Sequence, residues 1–164
     1  MIGPGSKPSL WSRAMVVVGF LAALGFAGTL VASYRPQDLS EHLLAALLSA
    51  LVAMFAHSWI AIYLSQTGRA LKEVAAASGL GPELGEQGRL LARRVWPWVL
   101  APLVLLLVTA FLGQSAYIHV IPVAVHHGAS WVLVAAQVLA VVQERRLLAA
   151  NHGLLTDLAG RLPG

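Results

Sequence analysis

The chain has 164 residues, of which 58% are hydrophobic and 11% charged, with a net charge of +4 and no cysteine. Soluble domains carry about a quarter charged residues, so this balance excludes an ordinary soluble globular fold, and the length suits one domain. The absence of cysteine excludes disulfides, thiolate metal sites, cysteine-ligated iron–sulfur clusters and covalent c-type haem.

Four apolar segments predict an all-α integral membrane protein, a four-helix transmembrane bundle in a single domain. The first runs from about Ala14 to Tyr34, between Arg13 and Arg35. Its apolar core exceeds the roughly 7–15 residues of a signal-peptide core, so it reads as a retained anchor despite a passable cleavage sequence at Val31-Ala32-Ser33. The second runs from about Leu43 to Thr67, between Glu41 and Arg69.

A loop from Arg69 to Arg94 follows. Arg69 to Ala77 is rich in strong helix formers and should prolong the second helix. Ser78-Gly79-Leu80-Gly81-Pro82 should stop it, and a short helix from about Glu83 to Arg94 should lead into the third span. The glycines of this loop lack the Lys-Ser/Thr ending of a phosphate-binding loop.

The third and fourth spans, about Val95–Ile118 and Pro122–Gln143, belong to a run from Val95 to Gln143 without Lys, Arg, Asp or Glu. One crossing takes roughly 20 apolar residues, so this run crosses, turns and crosses back. Apolar and polar residues do not alternate, which excludes membrane strands.

Lys and Arg flank the spans, the signature of membrane topology and not of a nucleic-acid surface. The amino-terminal segment, the 69–94 loop and the carboxy-terminal segment carry ten basic residues; the other side carries only Arg35. The expectation is that both termini and the short helical loop are cytoplasmic, in a multi-pass protein of the cell's inner membrane. Trp11, Trp96 and Trp98 at the inner boundary and Tyr34 and Tyr117 at the outer one suit the same orientation.

His57, near the middle of the second span, is the most informative side chain. An ionisable group at that depth is costly unless it faces the bundle interior with a partner. Its helical neighbours include Ala50, Ala53, Met54, Ile60, Ala61 and Leu64, several of them small enough for another helix or a planar cofactor to approach. The expected cofactor, if any, is haem b, with His57 as a ligand and His126 as its candidate second; helical rise sets the two about 9 Å apart in depth, which disfavours the pair. The bland alternative is a histidine bonded to a neighbouring helix.

His42, His119, His126 and His127 fall at the outer boundary. His119, His126 and His127 form a candidate transition-metal set, against the simpler reading of wet interfacial imidazoles. His126, Ser130, Gln137 and Glu144 make a polar stripe within about 40° on the fourth helix, which should face protein and not lipid. Gln114 and Tyr117 are the residues of span three placed to meet its outer part. With Glu144 at the end of the span, no carboxylate is expected at depth, which speaks against an ion pump.

No catalytic constellation is found: Ser58 beside His57 diverges from it on a helix, and no His-Glu-x-x-His occurs. The sequence therefore reads as a non-catalytic membrane subunit or anchor of a larger assembly, leaning to an electron-transfer complex. Its partners would be lipid and other membrane subunits. The rivals are a small transporter or metal-handling protein using the outer histidines, and a purely structural packing subunit.

Overall fold

A computed structural model describes residues 10–34 and 39–162; Lys7, Arg35 and Gln37 lie outside the described residues, as does the side chain of Trp11. The described chain is all-helical: α1 Leu10–Ala32, α2 Leu39–Ala77, α3 Glu83–Arg94, α4 Trp96–Tyr117 and α5 Val123–Arg161. Helices α1, α2, α4 (with α3 leading into it) and α5 are each long and apolar enough to cross a membrane. The protein is a four-helix bundle of the multi-pass membrane class.

The two connections after α2 and α4 are built alike. Gly79 takes a left-handed φ of 66°, Leu80 N–H reaches back to Ala75 O, and Gly79 N–H to Ala76 O. This is the double-bonded helix end that glycine favours, and Leu80 then packs against the cluster of Leu71, Ala75, Leu84 and Leu158. At the other end of the molecule His119 holds the same position with φ 59°; Val120 N–H bonds Ser115 O and His119 N–H bonds Ala116 O. Histidine is among the few non-glycine residues enriched there, and Pro122 then opens α5.

Helix α3 is short and amphipathic. Glu83 and Glu86 in its first turn and Arg93 and Arg94 in its last complement the helix dipole. It lies tightly on α2. A Cβ on Gly68 would come within 2.9 Å of Gly88 O, and one on Gly85 within 2.9 Å of the Lys72 Cα, so the two backbones nearly touch. Leu71, Ala75, Leu84 and Leu158 close a small core where α2, α3 and α5 meet.

Cross-links fix the directions. His57 pairs with Glu144 and Thr67 with Asn151, so α2 and α5 run parallel. Ser33 meets His127, and Gly19 faces Val141, so α1 runs against α5. Helix α1 packs on α2 and α5, α4 packs on α5 and more sparsely on α2, and α1 and α4 do not meet among the described residues. The α2–α5 contact is thus the short diagonal of the bundle. One end, called here the basic end, holds α3 and the exposed Arg69, Arg89, Arg93, Arg94, Arg145 and Arg146; the other, the turn end, holds the carboxy end of α1, the amino end of α2 and the α4–α5 turn.

Two apolar layers fill the interior. Ala22, Phe26, Ala50, Ala53 and Leu133 pack toward the turn end. Met15, Ile60, Ala61, Leu64, Val95, Val99 and Leu148 pack toward the basic end. The outside is a belt of exposed apolar side chains, among them Leu47, Leu51, Phe55 and Ile62 of α2 and Leu107 and Phe111 of α4, the last two more than 70% exposed. In water such a surface would be untenable; facing hydrocarbon it is the expected one. Helix α5 continues unbroken about 27 Å beyond Gln143, where the sequence ended the span, by helical rise.

Candidate functional site

Among the described residues only a few polar side chains are buried, and three of them touch. His57 is 0% exposed, Gln137 1% and Glu144 0%. Gln137 and Glu144 lie seven residues apart on α5, which returns them to one helical face; His57 presents from the Ala50, Ala53, Ala61 and Leu64 face of α2. The small residues there let α2 come close enough for the imidazole to bridge the diagonal. His57 Nδ1 stands 2.6 Å from Glu144 Oε1, and His57 Nε2 stands 3.0 Å from Gln137 Oε1.

Both ring nitrogens of His57 are therefore engaged by side chains of α5. As an imidazolium the ring donates twice, to the carboxylate and to the amide carbonyl. As a neutral imidazole with the proton on Nδ1, it needs the amide turned so that its NH₂ donates to Nε2. Gln137 suits either state because its two ends exchange by rotation. The second carboxylate oxygen, Glu144 Oε2, is buried without a hydrogen-bond partner.

The structure corrects the expectation that no carboxylate lies at depth. Glu144 is bonded to a residue in the middle of α2 and is sealed inside the bundle. The polar stripe of α5 is covered by protein as expected: Ser130, Gln137 and Glu144 are buried and His126 is half-buried. The stripe also runs further than its sequence reading, to Asn151, seven residues past Glu144 and 1% exposed. Thr67 Oγ1 lies 3.0 Å from Asn151 Oδ1 and 2.9 Å from Tyr63 O, and its single proton serves one of them at a time; with the amide in this orientation Asn151 Nδ2 has no partner. The same heptad step that found Gln137 and Glu144 would have found Asn151. Thr67, on another helix, left no such signal.

At the turn end the histidines are arranged differently. His126 Nδ1 donates to Thr109 O at 3.2 Å, and its ring lies against Gly113, where a Cβ would come within 2.9 Å. Thr109 and Gly113 of α4, and not the exposed Gln114 and Tyr117, thus meet the outer stripe. His127 Nε2 lies 3.2 Å from Ser33 Oγ, and its ring is 4.4 Å from that of Tyr34. His42 and His126 have ring centroids 6.4 Å apart, and His126 and His127 6.0 Å apart. His119 is exposed in the α4–α5 turn, where its backbone caps the helix. Among the described residues no group of three or more His, Cys, Asp or Glu is placed to hold a metal ion.

His57 and His126 are not brought together. His126 lies eleven residues before Gln137 on α5, and Gln137 bonds His57, which separates the two imidazoles by about 16 Å along the helix axis. No family model matches the chain, nor does any curated protein or solved structure.

Proposed function

We propose that this protein is a small membrane-embedded subunit or anchor of a larger assembly, with both termini and α3 on the cytoplasmic side of the cell's inner membrane. The observation that carries the reading is the division of its surface. The deeply buried His57, Gln137 and Glu144 turn inward and bond one another, while most of the large exposed side chains of the spans are apolar. Such a chain offers its surroundings an apolar wall and a basic rim, which suits lipid and the transmembrane helices of partner subunits. The basic excess beside the spans supports the orientation. Affinity capture of the full-length chain from its native membrane in mild detergent tests this. Stoichiometric co-purification of other membrane subunits is expected; a chain that migrates alone, after solubilisation that keeps other native assemblies intact, overturns it.

The geometry favours a structural and proton-holding role for His57 over haem ligation. Haem b at His57 would need Nε2 or Nδ1 freed from Gln137 or Glu144, and a second ligand other than His126. The electron-transfer reading rests on that step, and an absorbance spectrum of the purified protein tests it: a Soret band lost in His57→Ala would establish haem, and a spectrum without one is expected here.

A further inference from the structure

Contacts between helices fix the level at which each arginine leaves the bundle. Gly19 meets Val141 and Ser33 meets His127, one constant antiparallel register that sets Arg13 of α1 opposite Leu147 of α5. Gly25 meets Ser49, which sets Arg13 opposite Ala61 of α2. Thr67 meets Asn151 in parallel register, which sets Arg145 and Arg146 opposite Ala61 and Ile62. Gly68 meets Gly88 and Gly85 meets Lys72, which sets Arg93 and Arg94 of α3 opposite residues 62–64. Five arginines from three helices thus share one level of the bundle, within about 5 Å of helical rise, and all five are exposed.

That level has two further properties. It lies one hydrocarbon thickness from the turn end: Arg13 to Ala32 rises about 28 Å and Val123 to Arg145 about 33 Å, against roughly 30 Å for a bilayer core. It also holds no exposed carboxylate. Glu144 is sealed against His57, and Glu73, Glu83, Glu86 and Asp157 lie about 9 Å or more further from the turn end. Among the described residues the exposed ion pairs go to Arg89 and Arg161, off this level, and the five arginines form none. Trp96 is exposed just inside the level, where an indole suits the interface.

We propose that Arg13, Arg93, Arg94, Arg145 and Arg146 form a ring that binds the phosphate groups of anionic phospholipids in the leaflet at the basic end. The inference rests on the membrane reading above and names the lipid. A guanidinium stays charged and meets phosphate through two parallel N–H donors, so each arginine can hold one headgroup at the edge of the hydrocarbon. In a phosphatidylcholine headgroup the ammonium already balances the phosphate; five cations without acidic partners favour lipids of net negative charge, such as phosphatidylglycerol. The ring sets the depth of the bundle. Beyond it α2 runs about 20 Å further to Ala77, and with α3 and the end of α5 it carries the small core of Leu71, Ala75, Leu84 and Leu158 clear of the phosphates.

The test places the full-length protein in phosphatidylcholine bilayers with a trace of spin-labelled phosphatidylglycerol or spin-labelled phosphatidylcholine. Electron spin resonance reads the fraction of each label held against the protein. At physiological ionic strength phosphatidylglycerol should be favoured by at least about twofold, because each arginine near a surface is worth about fivefold and only one leaflet meets the ring. The preference should fall at 1 M salt, where screening is complete within about 3 Å. Arg93→Gln with Arg94→Gln should cut it by half or more, and Arg93→Lys with Arg94→Lys should keep most of it. Arg69→Gln with Lys72→Gln removes the same charge about 8–15 Å beyond the ring, a Debye length or more away, and should leave it unchanged. Circular dichroism confirms that each variant is folded. Equal held fractions of the two lipids would overturn the proposal and leave the ring to an acidic surface of a partner protein. So would a preference indifferent to the loss of Arg93 and Arg94, or one lost equally with Arg69 and Lys72. No held fraction for either lipid would overturn the membrane reading itself, and the ring with it.

Discussion

Removing His57 should cost at least as much as the upper value for the two hydrogen bonds it makes, because it also strands a buried carboxylate. A buried hydrogen bond in a membrane protein averages about 0.6 kcal/mol and reaches about 1.7, so the contacts at 2.6 and 3.0 Å account for roughly 1–3 kcal/mol. His57→Leu also strands Glu144, whose Oε2 is already unpartnered, with no donor at either oxygen. Breaking a buried pair from one side costs about 3–5 kcal/mol where no water can reach it, and His57→Leu should fall at the lower end of that range. Glu144→Leu should cost less, about 2 kcal/mol, because His57 keeps Gln137. Replacing both residues removes the stranded group, and such exchanges for apolar residues are often neutral or better, so the double variant should lie no lower than His57→Leu alone. The predicted coupling is therefore about 2 kcal/mol or more. Reversible unfolding in mixed micelles, or steric trapping in bicelles, measures all four states of the cycle. Costs that add within about 0.5 kcal/mol would show that the two side chains do not interact and would refute the reasoning.

Gln137→Leu alone should be mild, about 0.6 kcal/mol, because it removes one bond and leaves His57 paired with Glu144; thermal unfolding in detergent reads it. Gly68→Ala and Gly128→Ala should separate sharply in the same assay. The first drives a methyl to 2.9 Å from the Gly88 carbonyl and should cost about 1–3 kcal/mol, while the second meets nothing within 4 Å and should be neutral or gain up to about 1 kcal/mol of helix propensity. For topology, a cysteine at Ser78 should resist an impermeant thiol reagent in intact cells and one at Val120 should label; the reverse pattern would invert the bundle in its membrane.

Much of the fold is legible in the sequence because membrane spans are a one-dimensional signal. Val95–Gln143 had to form two helices, and Ser78–Pro82 had to break one, since its glycine and proline supply the left-handed cap and the block that a helix end needs. The depth of His57 and the need to bury the stripe at Ser130 and Gln137 were also readable, as costs of exposing polar groups to hydrocarbon. Partners were not. Glu144, followed by Arg145 and Arg146, looks like the end of a span; in the bundle the two arginines leave on the exposed side while the carboxylate stays inside against His57. A sequence count measures charge along a helix and cannot see which way around it each charge points in the packed bundle. The same limit hid Thr67 and Thr109, whose contacts are made between helices, and it assigned Gln114 to a role that Gly113 fills by letting His126 approach.

The most direct test of the central claim is a solid-state NMR correlation experiment on the full-length protein in lipid bilayers, with histidine, glutamate and glutamine isotopically labelled. The account predicts cross-peaks from His57 Nδ1 to the Glu144 side-chain carboxyl carbon and from His57 Nε2 to the Gln137 side-chain carbonyl carbon, both lost in His57→Leu. A His57 ring that correlates instead with lipid acyl chains, and with neither residue of α5, would contradict it.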